Sequence, residues 1–463
     1  MEIKLEQAVR EAWNAIRDPM QRLFFEQWRQ PELPGLERAS AKRLADWLEQ
    51  HGFVLERAAG GVPTAFVARR VFGKGGPRIA ILAEYDALPG LDNAAETSRA
   101  PLGGDAGHGC GHNHIGPANC GAAIAAADAT AALGFAGEIA VIGCPAEEIL
   151  WGKIALLRQR VFDGYDILLT SHGDYQNGAL SRPCFSVASG EFVFNGAAGH
   201  AGKAATTNAL DAAELAVQML DKIRVSRFPD IPVRHVLRRA GLMPGITPDE
   251  ARLWISVRSS DFDRARQAYD VASAVIESAA ETSGILLRHQ FISECRGYLP
   301  NDTLGRLLFS TMERIGPPQW TQGDLSWMEK LADNCRPGAG MTLDRGIAYY
   351  DTGIDYYGQD DGELSWRIPL GRVNWAYPQE VPIHHWAWTA LSGHAAASAG
   401  PLMGSEVLAT AVLRLLANPA IVAEARDELH RRTEGLSIDM PRLGAWRTMT
   451  ERPEDFWKGT WIE

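Results

Sequence analysis

Between residues 64 and 170 the chain runs as strand, loop, small-residue helix, strand, helix and strand, an order that admits few folds. Strands separated by helices pair in parallel, because a parallel neighbour is reached only through a crossover, and the helices then cover the sheet faces. Three apolar runs, 79–83, 138–144 and 165–170, read as buried strands. Each is followed by ionisable side chains: Glu84-Tyr85-Asp86, Pro145-Ala146-Glu147-Glu148 and Ser171-His172. Ligands of open α/β sheets bind beside the carboxyl ends of the strands, so these groups are expected at one edge. Gly107-His108-Gly109-Cys110-Gly111-His112-Asn113 adds a thiol to the set. A soft sulfur, two imidazoles and adjacent carboxylates from three short loops are the ligands of a hydrolytic divalent-metal site. Singly the pieces say little, since buried cysteines are common, no Cys-x-x-Cys pair occurs, and paired glutamates usually start a solvated helix. Their convergence points to a metallohydrolase.

At 463 residues the chain exceeds one ordinary core, which predicts two domains. Helical patterns occupy 5–49 with a proline-rich break at 31–34, and further helices are predicted at 116–132 and 152–162. After residue 183 the rhythm changes. Strand patterns at 190–196, 233–239, 251–258 and 285–293 alternate with helical ones at 208–228 and 261–282, giving the βαββαβ order of a ferredoxin-like unit. The expected fold is therefore α/β, a largely parallel sheet with helices on both faces, with this α+β domain inserted. The boundaries read are 1–186 and 297–463 for the larger domain and 187–296 for the insert. An aromatic region at 366–388 and a helix at 405–416 close the larger domain.

A composition of 46% hydrophobic and 22% charged residues is globular, and the net charge of -11 opposes nucleic-acid binding, which needs a basic face. Neither a secretory signal nor an apolar run approaching a membrane span is read, so no membrane partner is expected. Six scattered cysteines suit reduced thiols and a cytoplasmic home.

The chain resembles the superfamily of metal-dependent peptidases and amidohydrolases that includes aminoacylases, glutamate carboxypeptidases and auxin-conjugate hydrolases, and within it the aminobenzoyl-glutamate hydrolase branch. The resemblance rests on Pro63-Thr64-Ala65-Phe66-Val67-Ala68, Ala83-Glu84-Tyr85-Asp86-Ala87-Leu88-Pro89-Gly90, residues 107–113, Pro145-Ala146-Glu147-Glu148, Gly199-His200-Ala201 with Asn208-Ala209-Leu210-Asp211-Ala212, and Pro382-Ile383-His384-His385-Trp386. It implies a catalytic domain holding two divalent ions, zinc or manganese, and an inserted lid domain that also dimerises. Cys110, His112, Glu148, His172 and His384 are the implied metal ligands, with Cys110 bridging. Glu147 is the implied general base toward a metal-activated hydroxide, Asp86 orients ligands, and His200 on the lid stabilises the oxyanion. Asn208 and Arg258 are candidates for binding a substrate carboxylate. The implied partners are a small amide substrate and a second copy of the chain through the lid, or a related chain in a hetero-oligomer.

Several positions depart from the pattern. Gly202-Lys203-Ala204-Ala205-Thr206-Thr207 lacks the proline usual after the lid histidine, and in Asp360-Asp361-Gly362-Glu363-Leu364-Ser365-Trp366 one acid is a methylene longer than in the nearest branch. His108, His114, His385 and His394 are read as supporting the ligands from behind or as structural. Trp366, Trp375, Tyr377, Trp386 and Trp388 would suit a flat substrate slot, although most are read as core. The leading expectation is hydrolysis of an N-acyl or aminobenzoyl amino-acid amide. Hydrolytic deamination of an aromatic amine on the same site and a noncatalytic binding role are the alternatives.

Overall fold

The computed structural model describes residues 2–203 and 207–460. Its larger sheet has eight strands in the order Val54–Arg57, Phe66–Phe72, Gly137–Cys144, Arg78–Glu84, Ile167–Asp174, Leu370–Ala376, Gly178–Leu180 and Ala348–Tyr350. The middle four run parallel. Antiparallel pairings join them to their neighbours on either side. Ile79 to Ala83, Ile139 to Ile142 and Ile167 to Leu169 are fully buried, as strands covered on both faces must be. Helix His112–Leu133 lies over this sheet and beneath helices Glu2–Trp28 and Ala399–Ala417. Its run of buried alanines offers little side-chain bulk to hold those neighbours away.

The helix starts at His112, four residues earlier than the periodicity predicts. Gly111 takes a left-handed φ of +83° and turns the chain into the first helical residue. A Cβ there would lie 3.2 Å from the indole nitrogen of Trp388. The turn sets Cys110 and His112 on either side of one glycine, facing the strand ends.

The inserted domain has the predicted topology. Its antiparallel sheet runs Val233–Arg239, Glu250–Ser259, Ser186–Asn195, Leu286–Cys295, with helices Ala209–Arg227 and Phe262–Thr282 packed on it. A separate core of Phe192, Phe194, Leu253, Ile255, Val257 and Ile276 holds these layers together. Both helices start at side-chain caps, Asn208 accepting from Leu210 N and Asp261 from Arg264 N.

Helices Asp302–Ile315, Gln322–Cys335, Pro419–Thr433, Trp446–Glu451 and Pro453–Lys458 add to the elements read from sequence, and the helix read at 405–416 begins at Ala399. The stretch Ala395–Ala417 also corrects the expectation about apolar runs. By length and composition it could cross a membrane, its apolarity hidden in sequence by glycine, serine and alanine; 83% of its apolar window is buried inside the protein, as in a core helix.

Candidate active site

The carboxyl ends of the parallel strands meet the loop before helix His112–Leu133 and a segment from the end of the chain. Asp86, two residues past its strand, accepts from Nδ1 of His112 at 2.8 Å and, through its other oxygen, from the backbone N–H of Glu148 at 2.9 Å. The imidazole therefore points Nε2 at the strand ends. His172, inside its strand rather than past it, donates Nδ1–H to the Gly173 carbonyl at 2.7 Å, leaving a lone pair on Nε2 3.6 Å from Cys110 Sγ. His384 has a left-handed φ of +59°, and its N–H donates to Gly109 O at 2.9 Å. Its Nε2 lies 3.4 Å from Glu148 Oε2.

Two ligand triads result, Cys110 with His112 and His172, and Cys110 with Glu148 and His384, the donor atoms of each lying within 4.8 Å of one another. Cys110 is common to both. A third group joins Glu84, His112 and Glu147. His112 Nε2, Glu84 Oε2, Glu147 Oε1 and Glu148 Oε1 are buried without a hydrogen-bond partner. Buried polar atoms normally find partners, so four orphans converging on one place fit a cation site. Burial, with Glu148 beside it, holds the Cys110 thiol well above its ordinary pKa. A nearby divalent cation would reverse that and favour thiolate.

Behind the ligands lies a charge cluster that sequence reasoning missed. Lys153 is wholly buried, with Nζ 2.6 Å from Glu84 Oε1 and 2.6 Å from Asp360 Oδ1. Burial works against its charge, but Asp360 and Glu84 outweigh burial and keep the amine well above its ordinary pKa. Glu84 is likewise pushed up by burial yet held at about 2, chiefly by Lys153. The clue in the sequence was a lone cation in Gly152-Lys153-Ile154-Ala155-Leu156-Leu157. Glu147 faces the same cluster, and burial, with Glu84 and Asp360, raises its pKa well above that of a free carboxylate. The longer acid Glu363 takes no part, binding the backbone and guanidinium of Arg296 at 3.0 and 2.8 Å; Asp360 is the member of that motif at the site.

Cys110, Glu148, His172 and His384 of the triads line a cavity of about 430 Å³, with His112 buried behind them; its opposite wall is Ser189, Trp254, Ser256 and Arg258 of the inserted domain, with Tyr357 and Asn374 beside them. Arg258 is the only lysine or arginine among its described lining residues. Its Nε is buried without a hydrogen-bond partner. None of Trp366, Trp375, Tyr377, Trp386 and Trp388 lines the cavity; Trp375, Tyr377 and Trp388 are fully buried in the core. The aromatic walls are Trp254 and Tyr357, in segments whose patterns carried no such signal.

Other predicted residues stand apart. His200 is exposed in the short strand Gly199–His200, paired with Ile246–Thr247, and its Nδ1 accepts from Gly202 N. It does not line the cavity. Asn208 is occupied as a helix cap, and Ala204, Ala205 and Thr206 lie outside the described residues. His108, His114, His385 and His394 join no ligand triad among the described residues. Burial holds His108 and His114 neutral, both near about 3, while His385 and His394 cap short helices.

Comparison with known proteins agrees with this architecture. A peptidase dimerisation domain matches residues 185–283. One of the subunits of the p-aminobenzoyl-glutamate hydrolase of Escherichia coli is 28% identical over 441 residues, 88% of this chain and 91% of that protein. Mouse Xaa-Arg dipeptidase is 26% identical, over 83% of this chain and 80% of its own. Among solved structures, the aminobenzoyl-glutamate utilization protein of Klebsiella pneumoniae has a TM-score of 0.60 at 16% identity, covering 88% of this chain and 97% of that one. A dinuclear metal-binding peptidase of the M20 family from Bacillus subtilis has a TM-score of 0.56 at 19% identity, covering 88% and 99%. The fold is that of the M20 peptidase structure, the inserted domain matches a peptidase dimerisation domain, and similarity along most of its length makes the chain a homologue of the Escherichia coli aminobenzoyl-glutamate hydrolase chain.

Proposed function

We propose that the protein hydrolyses the amide bond of an N-acyl or aminobenzoyl amino acid in the cleft between its two domains. The observation that carries this reading is Glu147, a buried carboxylate with an unpartnered oxygen, lining the same cavity as Cys110, His172, Glu148 and His384 of the two ligand triads. Cys110, His112, Glu148, His172 and His384 would hold two divalent ions, zinc or manganese, which when bound lower the pKa of the attacking water and polarise the scissile carbonyl. Glu147 takes the proton from that water and returns it to the leaving nitrogen. A pKa raised by burial suits a carboxylate that must hold a proton between the two transfers. Asp86 fixes the His112 ring and the Glu148 backbone together.

Arg258, the one lysine or arginine among the described lining residues, receives the substrate carboxylate, and Trp254 and Tyr357 flank an aryl or acyl group. His200 donates to the oxyanion when the domains close or when a partner chain presents it. The matched dimerisation domain supports a homodimer, or a pairing with a related chain, and six free cysteines support a reducing, cytoplasmic setting.

The test is turnover of a panel of N-acyl and aminobenzoyl amino acids by metal-loaded protein, read as released amine. Glu147→Gln should keep its metal and KM while kcat falls on the order of 10²-fold or more. Loss of metal would make Glu147 a ligand, and an unchanged rate would end the catalytic reading.

A further inference from the structure

Glu147 stands in the turn 145–152, between strand Gly137–Cys144 and helix Gly152–Arg158, and the backbone there is not relaxed. Ala146 and Leu150 have φ of +55° and +56°, a region that residues other than glycine seldom occupy unless the surroundings impose it. The turn folds tightly on itself: Leu150 N donates to Glu147 O at 2.7 Å and Trp151 N to Ala146 O at 3.1 Å. A Cβ on Gly152 would lie 1.6 Å from Pro145 O.

Three buried carboxylates from separate parts of the chain hold backbone N–H groups of this segment. Asp86 Oδ2 accepts from Glu148 N at 2.9 Å, Asp360 Oδ2 from Lys153 N at 2.8 Å, and Glu37 Oε1 from Ala146 N at 2.8 Å. Asp86 also orients His112, and Asp360 also pairs with the Lys153 amine. Glu37 has no such second task. It precedes helix Arg38–Gln50 but does not cap it; the free N–H groups of Ala39 and Ser40 are taken by Glu32 at 3.0 and 2.8 Å. The Glu37 side chain is turned inward and completely buried, and Oε1 also accepts from Gly35 N at 2.8 Å. A single acceptor atom thus ties the amino-terminal segment to the residue immediately before Glu147, 109 positions away.

We propose that Glu37 is a positioning residue for Glu147, holding Ala146 in the left-handed conformation from which the Glu147 side chain enters the cavity. This rests on the amide-hydrolase reading for its activity arm. The two adjacent glutamates are anchored separately, Glu147 through Ala146 by Glu37 and Glu148 by Asp86. Loss of Glu37 therefore displaces the base and spares the ligand.

The experiment compares Glu37→Ala, Glu37→Gln and Glu32→Ala in the full-length, metal-loaded protein. Glutamine keeps the accepting oxygen, and because burial, with Asp86 nearby, pushes the Glu37 carboxyl up to about 8, the amide does not change its charge at neutral pH. Glu32→Ala removes the caps of the same helix but touches nothing in the turn. A misplacement of about 1 Å costs on the order of 10²-fold, so kcat of Glu37→Ala should fall by roughly 10 to 10²-fold, with KM within about twofold. Its metal content should equal that of wild type, and amide hydrogen exchange at Ala146 should be faster. Glu37→Gln and Glu32→Ala should keep kcat within about threefold of wild type. Glu37→Met, which fills the space without an acceptor, carries the test if the alanine variant fails to accumulate.

Wild-type kcat in folded Glu37→Ala or Glu37→Met overturns the proposal, as does equal impairment of the glutamine and alanine variants, or an equal loss in Glu32→Ala. Should the amide-hydrolase reading itself fail, wild type will turn over nothing in the panel. The exchange and metal measurements then still decide whether Glu37 holds the turn, and unchanged exchange at Ala146 overturns it.

Discussion

Lys153→Met removes the one cation between Glu84 and Asp360 while keeping most of the side chain's length and its apolar stem. Both carboxylates lie 2.6 Å from Nζ, and all three side chains are no more than 2% exposed, so water cannot take the amine's place without opening the core. Removing one partner of a buried ion pair costs about 3–5 kcal/mol, because the charge left behind has lost its solvent and its counterion together. Here two carboxylates lose the same partner. The penalty does not double, since a buried carboxyl without a counterion takes up a proton instead, and the bond from Lys153 N to Asp360 survives the substitution. A destabilisation near the top of that range, about 4–5 kcal/mol, is expected at pH 8. It should shrink at pH 5, where protonation of the two acids costs less. Chemical denaturation followed by tryptophan fluorescence, at both pH values, measures it. The triple variant Glu84→Gln, Lys153→Met, Asp360→Asn should recover most of the loss, as neutral replacements of buried ion clusters do. A penalty below about 1 kcal/mol at pH 8, or a triple variant as unstable as the single one, would refute the claim that this cluster is a fully desolvated ion network.

Reconstituted wild-type protein should bind two divalent ions per chain, and Cys110→Ala or His112→Ala should lose at least one, since five candidate ligands exceed the needs of a single tetrahedral ion. Elemental analysis finding one ion or none in wild type removes the dinuclear arrangement. His200→Ala should keep fold and metal yet lose on the order of 10² in kcat. Because His200 lies outside the cavity of its own chain, mixing it with Glu147→Gln chains should restore part of the activity if a partner chain presents it; no recovery after verified exchange excludes that route. Stability should also depend on pH through Glu37. Its folded pKa of about 8 lies above the ordinary 4.5, so the folded state holds this proton more tightly than the unfolded chain does. That contribution is complete below pH 4.5 and is lost as pH rises through 8. The thermal midpoint of wild type should therefore fall relative to Glu37→Gln across that window and run parallel to it above; a constant difference would show that Glu37 ionises normally.

What the sequence by itself determined follows from local rules. Apolar runs such as 79–83 and 138–144, short and bounded by polar or turn residues, read as buried strands, and helices between them imply parallel order, so the strand-end positions of Glu84, Asp86, Glu147 and Glu148 were legible in the sequence. The βαββαβ insert was legible for the same reason, its strand and helix periods being distinct. Tertiary structure alone decided what lies opposite those strand ends. Lys153 carried only the clue of a lone cation in an apolar helix and Glu37 none, because a buried charge is tolerated only through partners far away in sequence, Asp360 for one and the Ala146 backbone for the other. Trp254 and Arg258 became cavity walls only because the inserted sheet folds back over the larger domain, while Trp375 and Trp388, equally aromatic, went into the core. His200 shows the same limit from the other side: its motif is plain in the sequence, yet its distance from the cavity depends on how the two domains are placed, which no local pattern encodes.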